Sequence, residues 1–332
     1  IVGSAGQDDA AVDAKPPATA EIEASAPETP APVAEVGYVK LTDREFLVRY
    51  NGQSGEWFRL PARTMLSSAD QLVVLPTYRP EIVLKPGVQV TFVGAGEVQA
   101  LPPGPQGEPA LAIQYGRLLI ATAGVEGAQI RLRFAGRGGT VTFADAASEI
   151  GVEVRSYLPP GADPEVEPAV PMARLYTAIG SVEWQPDGVD AAVPIPSGHA
   201  RVIIADQAQT VALNQAPSWI YGETTDSLDR LAKESLETSV TPDRPAILSL
   251  EEQSEGRRLE VRSLAARALA HLGIYESLVR EFSDERQKSL WDKDFNVLRR
   301  CVARGPQAAA AVRASLERFC GDDAAVLYRL IW

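Results

Sequence analysis

Reactive side chains are scarce in this chain. Its 332 residues include two cysteines and two histidines. So few soft ligands argue against a structural zinc site, which would need all four of them. Between Gly37 and Ile220 there is no cysteine and one histidine, His199. No stretch approaches the roughly 20 apolar residues that a helix needs to span a bilayer. Basic charge is also in short supply. Lys and Arg total 32 against 44 Asp and Glu, for a net charge of −12. That balance argues against a surface evolved for nucleic acid or anionic membrane.

What is present divides along the chain. Residues 1–36 are rich in Ala, Pro and Glu, lack aromatics, and hold seven acids against one lysine. Such a segment cannot bury enough apolar surface to offset the entropy of ordering, and it is expected to be an acidic linker. Half of the net charge sits there, so the folded parts are only mildly acidic. The hydrophobic fraction of 45% supports a sizeable core.

Residues 37–222 read as β structure, because apolar residues recur with period two. In Gln129–Phe134, Ile130, Leu132 and Phe134 share one face, and Arg131 and Arg133 the other. In the run from Val88 to Gly94, Val88, Val90 and Phe92 oppose Gln89 and Thr91. In Glu149–Tyr157, Ile150, Val152 and Val154 alternate with Gly151, Glu153 and Arg155. One polar face per strand predicts sheets with one wet side, in a sandwich, barrel or solenoid. Residues 159–171 carry five prolines and predict an exposed connector. A weak internal repeat is visible. The phrase from Gly37 through Trp57 to Gln71 resembles the one from Gly180 through Val193 to Arg201.

From about Asp226 the period becomes helical, so residues 223–332 are expected to be an all-α domain. Ser249-Leu-Glu-Glu252 has the capping-box spacing. Val261, Leu264, Ala265, Ala268, Leu269 and Leu272 form an apolar stripe, with Gly273 as its stop. Glu260, Ser263, Arg267 and His271 fall on the opposite face, which is expected to be solvated. Further helices are expected over 285–303, after Gly305-Pro306 as far as Cys320, and on to Trp332. Cys301 and Cys320 could pair across two antiparallel helices in an oxidising compartment, or stay as buried thiols.

The order of these motifs resembles a known family. The runs containing Leu66, Asp70, Leu72, Gly87, Gly94, Gly116 and Arg117 look like the FecR-like extracytoplasmic domain. The Leu72–Ile82 step, Glu153–Arg155 and the downstream helix at Glu260–Gly273 resemble a planctomycete-type group of membrane proteins. That helix is also similar to the second helix of a HEAT repeat. The resemblance implies a β-rich domain, antiparallel or solenoid-like, followed by helices: an α+β, multidomain chain. It further implies a position on the periplasmic side, tethered by a transmembrane helix upstream of Ile1.

No catalytic motif survives inspection. His199 lies in a turn without a nucleophile or orienting acid. Asn51–Gly55 is a hairpin turn, and Gly136–Gly139 lacks the lysine of a phosphate loop. Asp292-Lys293-Asp294 begins like a calcium loop, but Val297 and Ala303 stand where Gly and Glu are required, which leaves a solvated helix face. No cofactor or metal is expected, and no enzyme activity. Aromatics beside arginines are enriched at binding hot spots. Trp57, Arg59, Tyr78 and Arg79, with the helical Arg257, Arg258 and Arg262, are therefore the expected partner surface. The expected function is a non-catalytic binding or scaffold module for a protein or cell-envelope component. The alternatives are the periplasmic sensor part of a FecR-type signalling regulator, and a carbohydrate-active hydrolase.

Overall fold

The computed structural model describes residues 33–40, 45, 47–134, 136–205, 207–222, 227–284, 286 and 288–331. The acidic linker expected over 1–36 lies outside the described residues up to Pro32, as does Trp332. The described chain is β-rich first and helical afterwards, as the change of sequence period predicts.

The first strands are β1 (Glu35–Val39), β2 (Val48–Asn51), β3 (Glu56–Arg59), β4 (Met65–Ser67), β5 (Gln71–Val74), β6 (Glu81–Leu84), β7 (Val88–Phe92) and β8 (Gly96–Leu101). A long strand, β9 (Ala110–Thr122), follows. Then come β10 (Gln129–Phe134), β11 (Arg137–Phe143), β12 (Glu149–Tyr157), β13 (Val170–Ile179), β14 (Val182–Pro186), β15 (Val193–Ile195), β16 (His199–Ile204) and β17 (Gln207–Ala212). One sheet has the order β4-β1-β6-β7-β9-β12-β13-β16-β17. The other has the order β3-β2-β5-β8-β9-β10-β11-β14-β15. Pairing is antiparallel except between β9 and β10.

The two sheets share β9. Residues 110–115 pair with β8 and β10, and residues 116–122 pair with β7 and β12. The strand changes sheets at Gly116, whose φ is +125°. A Cβ there would lie 2.6 Å from the Cα of Gly96, so both the backbone angle and the space demand glycine. The alternating residues named above meet between the sheets. Leu72, Val98, Ile113 and Leu132 from one sheet join Ile82, Val90, Ile120 and Val152 from the other in a single core.

Both outer faces are partly covered, so the expected wet faces are only partly wet. After β17 the chain from Leu213 to Gly222 crosses the outer face of β12, β13 and β16. Trp219 and Ile220 seat there with Val93, Tyr176 and Ala200 in a small core of their own. Gly151 makes room for them, since a Cβ would stand 3.0 Å from the Trp219 ring. Gly151 and Glu153, expected in solvent, are therefore buried.

The helices are α1 (Ser227–Ser239), α2 (Ala246–Ser254), α3 (Leu259–His271), α4 (Glu276–Glu281), α5 (Trp291–Val302), α6 (Pro306–Cys320) and α7 (Ala324–Ile331). They do not stand apart from the strands. Leu236, Leu250, Val261, Leu264, Ala268 and Leu269 belong to the same core as the sandwich. Ala266 and Ala270, on the other side of α3, enter a second core with α4 to α7. The described residues from Val33 onward form one compact unit. α3 is its pivot, buried on every side from Ser263 to His271.

Two local expectations are corrected, and the Pro-rich connector is placed. Residues 159–171 link two neighbouring strands. They close a hairpin, because β12 and β13 are direct partners, and their loop folds back with Ala162 buried and Glu165 3.0 Å from Arg313 of α6. Ser249 caps nothing: α2 starts at Ala246 after Pro245, and the Ser249 hydroxyl is buried without a hydrogen bond. The repeat phrases fall on unlike strands. β1 and β3 lie in different sheets, whereas β14 and β15 form one hairpin. The helix ends fare better, with Gly273, Gly305-Pro306 and Gly321 all marking boundaries.

Candidate functional site

The expected partner surface turns inward. Tyr78 is fully buried, and its hydroxyl donates to the Lys233 carbonyl of α1 at 3.2 Å. Arg59 donates to the carbonyls of Glu237 and Val240, at 2.8 and 2.9 Å, closing the C-terminal end of α1. A cation there also suits the helix dipole. Lys233 reaches back over the Tyr78 ring and pairs with Glu45, which accepts the backbone N–H of Arg79. Trp57 packs against the main core. These aromatic–arginine groups recognise a helix of the same chain. A groove of about 330 Å³ beside them is lined by Lys40, Glu45, Arg59, Pro61 and Pro242.

The second expected basic patch is dispersed. Arg257 and Arg258 are exposed, and Arg258 pairs locally with Glu260 at 2.8 Å. Arg262 instead turns to Glu281 at 3.1 Å and Asp284 at 3.5 Å. The two cysteines stand as separate thiols. Cys301 faces the Ala270 carbonyl at 3.5 Å and Cys320 the Val279 carbonyl at 4.0 Å. Burial pushes the Cys301 thiol up, so it stays protonated.

The face of α3 expected in solvent lies between layers instead. Register aligns Arg59, Val48, Val73, Glu97 and Tyr115 across β3, β2, β5, β8 and β9. The last of these, Tyr115, stacks on His271 with centroids 5.8 Å apart. Arg304 lies 4.1 Å over the Tyr115 ring and holds His271 at both its carbonyl (3.0 Å) and Nδ1 (2.9 Å). Burial, then the charges of Arg304, Arg300 and Arg267, hold His271 well below its usual pKa. The imidazole is neutral, with Nδ1 as acceptor.

One turn earlier, Arg267 donates to Asp229 at 2.7 Å and lies 3.8 Å from Asp294. Asp294 was expected on a solvated face but is fully buried, and its Oδ2 has no hydrogen-bond partner. Burial raises its pKa to about 7, against the opposing pull of Arg267. Burial also acts on Asp229, but the hydrogen bonds and charges of Arg267 and Lys293 win and hold it low. The sign for Asp294 follows by linkage. A carboxyl whose folded pKa exceeds its ordinary 3.8 stabilises most below that value, and the benefit fades as pH rises to about 7. Asp294→Asn is expected to remove about 2 kcal/mol of stability loss between roughly pH 5 and pH 8. Urea unfolding of both proteins across that range measures it.

A different group of charges remains open. On the outer face of the sheet, Arg117, Glu153 and Arg174 are directly opposite one another on β9, β12 and β13. Arg117 pairs with Glu153 at 2.9 Å, Arg174 approaches it at 4.0 Å, and the Tyr176 hydroxyl donates to it at 3.3 Å. Arg155 lies two residues along the same face and is exposed. α5 packs against β12 and brings Arg300 close to Arg117, Glu153 and Arg155. Sequence inspection missed this cluster, because its members are scattered from β9 to α5. The available signal was a polar residue at alternate positions of β12.

Among the described residues, no three His, Cys, Asp or Glu side chains converge as metal ligands would, and no helix is long and apolar enough to cross a membrane. No protein-family model matches the chain, and no curated protein does. Two crystal structures of a candidate anti-sigma factor from Parabacteroides distasonis are similar to it in part. Each is 9% identical, with a TM-score of 0.30, over 49% of this chain. The match spans 62% of one and 63% of the other, less than two thirds of those chains.

Proposed function

We propose that this chain is a non-catalytic binding or scaffold module of the cell envelope. In this reading its FecR-like β framework is held outside the cytoplasm by an upstream membrane helix. One observation carries the functional half: the side chains capable of chemistry are spent on joining the chain's own elements to one another. His271 is neutral and enclosed by Tyr115 and Arg304. Cys301 is a buried thiol bonded to a carbonyl. Asp294 and Asp229 share Arg267 inside the helical layer. A general base or nucleophile must reach a substrate, and these groups reach each other. The compartment rests on the order of FecR-like motifs in the sequence.

Val166, 73% exposed on the β12–β13 loop, gives a test of placement. In the full-length protein, Val166→Cys should be labelled by a membrane-impermeant maleimide on intact cells with a permeable outer layer. Labelling only after lysis would refute the extracytoplasmic reading. A substrate turnover lost on His271→Ala or Asp294→Asn, with the fold retained, would refute the non-catalytic one.

A further inference from the structure

We infer that the outer-face cluster of Arg117, Arg155, Arg174 and Arg300 is a binding site for a phosphate-bearing ligand. The inference rests on the reading of the chain as a binding module and names what that module holds. Arg117 and Arg174 flank one carboxylate, Glu153, at 2.9 and 4.0 Å; Arg155 follows two residues along the same face, and Arg300 is near enough to feel the charges of Arg117, Glu153 and Arg155. The local excess is +3 on a chain whose net charge is −12. Like charges so gathered repel, and a structural ion-pair network would supply more acids. Among the described residues neither Arg155 nor Arg300 has a salt bridge. The Nε of Arg174 is buried without a hydrogen-bond partner, a cost that fold stability alone does not reward. Surrounding protein bulk and the charges of Arg117 and Arg155 pull the Arg300 pKa down, with Glu153 opposing. An incoming anion relieves that crowding.

The charge count selects the ligand class. One carboxylate would leave most of the excess in place. A phosphate carries close to two negative charges near neutral pH and several acceptor oxygens, and the planar guanidinium matches them in pairs. Glu153 has a role in this arrangement. It orients Arg117, and Tyr176 in turn orients Glu153, so the donors are arranged before the ligand arrives. Trp219, 5.5 Å from the Arg117 guanidinium, backs the site and provides an optical signal.

The test uses the full chain with three probes: inorganic phosphate, glycerol phosphate, and vesicles of phosphatidylcholine with or without phosphatidic acid. Binding is read by calorimetry and tryptophan fluorescence. The inference predicts saturable binding of a soluble phosphate or of the phosphatidic acid vesicles, weakening as salt rises. The two arms separate a soluble ligand from a lipid headgroup. Arg155→Gln with Arg300→Gln should weaken binding at least about tenfold, the scale of one lost charged hydrogen bond. Both side chains are exposed, so the melting temperature should hold. The Lys/Lys pair should recover part of the affinity. No binding to any probe, or equal binding by the Gln/Gln variant, would overturn the inference. If phosphate binding fails while Val166→Cys still labels from outside and no turnover appears, the binding-module reading stands and only its ligand is wrong.

Discussion

Replacing Arg267 by alanine should cost about 3–5 kcal/mol at pH 8, the range found when one partner of a buried ion pair is removed. The side chain is almost wholly inside, 2.7 Å from Asp229 and 3.8 Å from Asp294. Without it Asp294 has Ser263 as its nearest remaining donor, at 3.4 Å. Asp229 keeps Lys293 at 3.2 Å. The cost should therefore fall at about pH 5.5, where a protonated Asp294 needs no cation. Adding Asp294→Asn to Arg267→Ala should recover part of the loss at pH 8 and little at pH 5.5. Chemical unfolding of the four proteins at both values measures this. A cost independent of pH would place the damage in packing instead.

Trp219→Ala should cost about 3–5 kcal/mol, the usual range for emptying a buried aromatic site. The indole is 4% exposed, and it packs edge-on to Tyr176 and over Gly151. It fixes the segment that leads from the last strand to the first helix. Gly151→Ala supplies a check by coupling. In the parent it sets a methyl group 3.0 Å from the indole and should destabilise. In the Trp219→Ala background that penalty should shrink or reverse, because the methyl fills space the indole has left. Equal effects in both backgrounds would mean that the strap does not bear on the sheet as described.

The parts of this fold visible in the sequence were those set by local chemistry. The alternation in β7 and β10 reports a face buried against the opposite sheet. The apolar stripe of α3, its stop at Gly273 and the Pro306 start of α6 report backbone and capping rules. What sequence reading missed were contacts made by distant segments. Glu153 looked wet because the strap covering its face comes from beyond residue 212. His271 and Arg267 looked solvated because a helical period reveals one apolar stripe, and α3 has neighbours all round. Asp294 was misread for the same reason. Tyr78 and Arg59 were recognised as contact residues, but the partner proved to be α1. The arginine cluster needed the strand register, which no residue spacing reports.

Strands and helices form one cooperative body through α3, buried between them from Ser263 to His271. Native-state hydrogen exchange tests this most directly. Amides in the middle of α3 and in the β9 segment around Leu118–Ile120 should exchange through the same global opening, with equal free energies and equal denaturant dependence. If α3 and its helical neighbours open at distinctly lower free energy while β9 stays protected, the helices are a separate layer and the account is contradicted.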